Sequence, residues 1–106
     1  MINYNDAATA LRYLVGTDEE AARCKVLYEA LYEQRKTIKA MQFLNAKGSA
    51  AERTERALAS EEYQSHLELI KSAQIDFEIL RNKRFTNQSI IEMWRSVNSN
   101  HKKGNI

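Results

Sequence analysis

Apolar residues recur along this chain at spacings of three and four, the period of a helix face rather than of a strand. Cys24, Leu27, Leu31, Gln34, Ile38, Met41 and Asn45 alternate the two spacings. Tyr63, His66, Ile70, Ala73, Phe77, Leu80, Arg84, Asn87, Ile91 and Trp94 do the same. Such heptads predict two long helices that meet along a seam. Gln34, His66, Arg84 and Asn87 place polar groups on it. These groups either fix the register or mark a wet, splayed section.

Breaks in the pattern set the expected element ends. Asn5 or Asp6 suits the N-cap of a short first helix through Val15, with Leu11, Leu14 and Val15 as its apolar stripe. Gly16 is expected to end that helix, because glycine tolerates the left-handed turn at a C-terminus. Thr17 with Glu20 then reads as a capping box that opens a second helix near Asp18. Nothing interrupts this helix before Lys47-Gly48. Ser49 with Glu52 opens a stretch over 50–59, and Ser60 with Glu61 and Glu62 is a further start signal. Whether 50–59 and 61–97 are one helix stays open. Asn98, Asn100, Gly104 and Asn105 suggest a frayed tail over 98–106. The expected fold is all-α: a short N-terminal helix, then a long antiparallel helical hairpin joined near 47–60, in a single domain over 1–106.

A second set of apolar residues lies off these seams. Val26, Tyr28, Tyr32 and Phe43 belong to the first helix, and Leu67, Ile75, Ile79, Phe85 and Ile90 to the second. Two helices and a short third leave them uncovered. A homo-oligomer built through coiled-coil-like faces is the simplest remedy, with its subunit number unspecified.

Composition agrees with long helices. The 106 residues include no Pro, three Gly and one Cys. A single Cys excludes an intramolecular disulfide and a multi-thiolate zinc site. No apolar run approaches the ~18 residues of a membrane span, and MINYNDAATA lacks the order of a secretory signal. No membrane partner is expected, and the cytoplasm is the expected compartment. The net charge of +2 is unevenly spread. Residues 35–106 hold 13 Lys/Arg against 8 Asp/Glu, whereas 1–34 hold 3 against 6. An excess of cations on one part of a chain suits an anionic partner, although helices also carry many solvated Lys and Arg.

Catalytic patterns are absent. There is no GxxxxGK[ST], GxGxxG or HExxH motif, and His66 and His101 stand 35 residues apart. Cys24 falls on a seam, where a thiol packs as a small apolar group. Glu61 and Glu62 are adjacent and complement a helix N-terminus rather than forming an acid/base pair. The expectation is a non-enzyme without metal or cofactor.

Residues 35–44 read RKTIKAMQFL. On a helix, Lys36, Lys39 and Phe43 share a face, and Arg35, Lys39 and Gln42 share much of it. Cations track the phosphates of a single strand and an aromatic ring offers a stacking surface. Arg35, Lys36, Lys39, Phe43 and Lys47 are therefore candidate DNA contacts, with Arg81, Lys83 and Arg84 as a second cluster. Phe43 as a core residue is the competing reading.

The order of IKAMQFL, a Gly-bearing break, ERTERALASEEY and a closing IIEMWRS resembles the phage recombination mediator family typified by UvsY, over about residues 20–97. Lys39 and Ala40 match that family's basic stretch, and Phe43 and Leu44 fall where its aromatics stand. Met41 replaces the family's Arg, and Leu44 is not aromatic. The resemblance implies a ring-like homo-oligomer that binds single-stranded DNA with Lys39 as a contact. It implies two further partners, a strand-exchange recombinase and a single-strand-binding protein, in the cytoplasm of a bacterial host. The alternative is a structural or adaptor coiled-coil phage protein with protein partners only.

Overall fold

The computed structural model describes residues 1–104, with side chains as far as Asn100. They form three α-helices: α1 (Tyr4–Asn45), α2 (Ala50–Ala59) and α3 (Glu61–Gly104). No strand occurs among the described residues. The all-α expectation holds, and the period-3.5 pattern is its cause.

The first helix corrects the expected layout. Its 42 residues run unbroken through Gly16, so no separate short helix exists. Glycine inside a helix costs only ~1 kcal/mol, which a long packed helix absorbs. Thr17 shows the same outcome: its hydroxyl donates to the Tyr13 carbonyl at 2.8 Å, the back-bond of a mid-helix threonine rather than a cap. The N-cap also moves. Asn3 Oδ1 accepts from the Asp6 backbone N–H at 3.0 Å, and Asp6 Oδ2 accepts from the Asn3 N–H at 2.9 Å. This reciprocal pair places the cap on Asn3, with Asp6 completing the box.

At the other end the break is real. Gly48 has φ +117°, in the left-handed region, and a Cβ there would stand 2.7 Å from Glu52 Oε2. Ser49 caps α2: its Oγ accepts from the Glu52 N–H at 3.2 Å. Ser60 answers the open question about 50–59 and 61–97. Its extended backbone separates α2 from α3, and its Oγ accepts from the Tyr63 N–H at 3.2 Å. Over the expected tail, α3 continues from Asn98 to Gly104. Asparagine lowers helix propensity without breaking the ladder. Asn105 and Ile106 lie outside the described residues.

Gly16 and Gly48 respond oppositely to alanine. Gly16→Ala should raise stability by ~0.5–1 kcal/mol, since a Cβ there meets nothing within 4 Å. Gly48→Ala should lower it by ~1–3 kcal/mol through left-handed strain. Helical circular dichroism melts of both variants at one protein concentration check the opposite signs.

Packing groups the residues into two compact units. Unit 1 contains Met1–Ala22 and Glu78–Ile106, and unit 2 contains Arg23–Phe77. In unit 1, Ala7, Ala10 and Leu80 are buried, and the Tyr4 and Trp94 rings meet edge-on at 5.9 Å. In unit 2, Ala57, Ile70, Ala73 and His66 are buried, and Tyr28 stacks on Phe77 at 5.8 Å. The seam on α3 is the expected one: every residue from Tyr63 to Trp94 in that register is buried or half-buried. The seam on α1 is not. Cys24, Leu31 and Ile38 face inward as expected, but they alternate with Tyr28, Arg35 and Gln42. Leu27 and Met41 are each 54% exposed. A choice between i+3 and i+4 decides the register. The Tyr28–Phe77 stack half-buries two aromatic rings, more apolar area than Leu27 would bring.

Candidate nucleic-acid interface

Five of the expected contact residues fall in unit 2, on the last turns of α1 and the connection after it. Tyr32, Lys36, Lys39 and Phe43 are spaced i, i+4, i+7 and i+11, so one helix face carries all four. Lys36, Lys39 and Lys47 are exposed. Lys36 Nζ lies 3.5 Å from Glu33 Oε2 with both side chains largely in water, so this pair holds it loosely. Among the described residues, no ion pair engages Lys39 or Lys47.

Arginine and aromatic groups interleave with these lysines. The Arg35 guanidinium lies 3.8 Å from the Tyr32 ring centroid, and its Nη1 donates to the Tyr32 carbonyl at 3.2 Å. Tyr32 in turn leans on Tyr28 at 6.2 Å. Phe43 is half-buried, and Arg53 of α2 covers its ring at 4.3 Å. Arg53 Nε also donates to the Phe43 carbonyl at 3.1 Å, which fixes the guanidinium over the ring. Phe43 is thus neither a fully buried core residue nor an open ring. It presents itself through a planar cation, a surface that also stacks on bases.

Arg81, Lys83 and Arg84 fall in unit 1 and are a separate cluster. Arg81 is exposed and sits 3.5 Å from Glu78, and Lys83 is exposed. Arg84 points inward. Its Nη1 donates to the Leu14 carbonyl at 2.8 Å and to Thr17 Oγ1 at 2.7 Å, and its Nη2 to Asp18 Oδ1 at 2.5 Å. Three of the five N–H donors of that guanidinium are taken up within the protein.

Two residues escaped the sequence reading. Tyr32 stands four residues before Lys36, so its place on the basic face was legible from spacing alone. Arg53 lies ten residues beyond Phe43 across a helix break, and no periodicity links the two. Compared with family models, characterised proteins and solved structures, the chain matches none.

Proposed function

We propose that this chain binds single-stranded DNA and acts as a small helical recombination mediator, assisting the loading of a strand-exchange recombinase. The observation that carries the reading is the face of Lys36, Lys39 and Lys47 interleaved with the Arg35–Tyr32 and Arg53–Phe43 stacks. Point charges engage phosphates, and planar cations on rings engage bases. Arg81 and Lys83 serve as a second cluster. Arg84 is left out of the path because it is mostly buried and three of its donors are engaged by Leu14, Thr17 and Asp18. The mediator role, the recombinase and single-strand-binding partners and a phage origin with work in a bacterial cytoplasm rest on the resemblance over residues 20–97. No bond chemistry and no cofactor enter the mechanism: self-associated copies sum weak contacts along one strand.

An antiparallel helical hairpin is the proposed frame. In unit 1, Tyr4 meets Trp94 and Asp18 meets Arg84. In unit 2, Tyr28 meets Phe77 and Leu31 meets His66. Within each unit, numbers on α1 rise as those on α3 fall. Self-association is supported by exposed apolar residues, Leu11 and Val15 in unit 1 and Val26, Leu27 and Leu44 in unit 2. That same apolar surplus favours the second reading, an adaptor with protein partners only.

A fluorescence titration with single-stranded DNA separates the readings. Lys39→Ala should weaken binding to all sequences alike and flatten the salt dependence by about 0.7 in log K against log salt. Phe43→Ala, which removes the ring beneath Arg53, should cost ~1–3 kcal/mol of affinity and leave the slope unchanged. No binding by the folded wild type at low salt, or binding that salt leaves unchanged, would favour the adaptor, and identical binding by wild type and both variants would place the DNA contacts elsewhere.

A further inference from the structure

Arg35 and Arg53 are held in the same way by different routes. The Arg35 guanidinium covers the Tyr32 ring at 3.8 Å, and its Nη1 donates to the carbonyl of that same residue at 3.2 Å. The Arg53 guanidinium covers the Phe43 ring at 4.3 Å, and its Nε donates to the Phe43 carbonyl at 3.1 Å. Arg35 reaches its ring along one turn of α1, whereas Arg53 reaches its ring from α2, across the break at Gly48. A ring contact and a carbonyl bond together hold each planar group at two points. The Tyr32 ring is backed in turn by Tyr28, which stacks on Phe77. Both arginines are half-buried, and among the described residues no carboxylate pairs with either. Arg84, also half-buried, is paired with Asp18.

We propose that these two guanidiniums are the groups that touch the bases of a bound single strand, each lying between a protein ring and a base. The proposal rests on the single-strand reading above and names its base contacts. Tyr32 and Phe43 share one face of α1 and stand ~16 Å apart along it, with Lys36 and Lys39 between them. The strand therefore runs along α1, with a base subsite at each end and phosphates on the lysines between. A guanidinium with one face on a ring keeps its other face for a base, and bases stack on such planes. Its charge is not spent on a carboxylate, so the attraction between cation and π-face is retained. The protein takes one N–H of each arginine, and neither side chain has a buried nitrogen without a partner. A base on the outer face thus leaves the remaining donors in water, with no unpaired polar group to bury. Tyr32 and Phe43 act as backing: they hold the guanidiniums and meet no base themselves.

Titrations of the full chain with an oligothymidylate and with an abasic oligomer of equal length test the assignment. Arg53→Ala and Arg35→Ala should each weaken binding to the oligothymidylate by ~5- to 100-fold and leave the salt slope unchanged. On the abasic strand, which keeps the phosphates and lacks the bases, both variants should bind as wild type does. Arg53→Lys should lose most of what Arg53→Ala loses, because an ammonium keeps the charge but offers no plane. Phe43→Ala added to Arg53→Ala should cost little more, since the ring acts through the guanidinium. Arg35 lies within the unbroken α1, so Arg35→Ala carries the test should Arg53→Ala loosen α2 in circular dichroism. Equal losses on both strands, with a slope lower by about 0.7, would put the guanidiniums on phosphates and overturn the proposal. Unchanged or tighter binding by folded Arg53→Ala would make Arg53 a cover over Phe43 and overturn it as well. Both results leave single-strand binding intact, whereas a folded wild type that binds neither strand at low salt would overturn that reading together with this one.

Discussion

Arg84→Ala should destabilise the fold by ~2–3 kcal/mol, as expected when a mostly buried cation loses several charge-assisted hydrogen bonds. Its side chain is only 20% exposed, and one guanidinium reaches a carbonyl, a hydroxyl and a carboxylate. The three α1 partners, Leu14, Thr17 and Asp18, straddle Gly16. Arg84 therefore holds together the one turn of α1 where glycine would most readily end a helix. Removing it exposes that turn to fraying as well as losing the contacts. Arg84→Lys should recover less than half of the loss, because a single ammonium cannot serve a forked set of acceptors. Asp18→Asn should cost under ~1 kcal/mol, since the Asp18 carboxylate is largely in water. Denaturant unfolding at fixed protein concentration checks the order. An Arg84→Ala variant within ~0.5 kcal/mol of wild type would contradict this account of the seam.

His66→Ala should be the other large loss, ~2–4 kcal/mol, from a cavity and a missing hydrogen bond together. His66 is buried on the α3 seam in unit 2, and its Nε2–H donates to the Leu31 carbonyl at 2.6 Å. A carbonyl only accepts, so this nitrogen carries the proton. The bond ties a side chain on α3 to the backbone of α1 and fixes their relative register at that point. His66→Phe leaves no cavity and should cost ~1–2 kcal/mol, the lost bond and the slightly larger ring together. For a domain of this size, thermal melts should separate the two variants by several degrees. Equal melting temperatures for the alanine and phenylalanine variants would show that packing at this position contributes little.

These two residues also show what the sequence could convey. The heptad on α3 was legible from Tyr63 to Trp94, including its polar members, because one register accounts for ten positions. What each polar member does was not legible, since the partners Leu31 and Leu14 are backbone carbonyls, which no side-chain pattern reveals. On α1 the register slipped. Leu27 and Tyr28 are adjacent apolar candidates, and only Phe77, 49 residues on, selects Tyr28. Gly16 and Gly48 looked alike as punctuation, yet only Gly48 takes a positive φ. Gly16 lies beside residues gripped by Arg84, a tertiary contact that overrides local propensity. In the candidate interface, the lysines were legible from helical spacing. The Arg53 cover on Phe43 was not, because it depends on how α2 folds back across the break at Gly48.

The direct measurement is the affinity of the wild-type protein for single-stranded DNA across a salt series. Lys36, Lys39 and Lys47 offer three phosphate contacts per copy, and each contributes about 0.7 to the slope of log K against log salt. The predicted result is a slope of about 2 for one copy and several units for an associated complex, with single strands preferred over duplex. A folded, helical protein that shows no binding at low salt, or binding that salt leaves unchanged, would contradict the account.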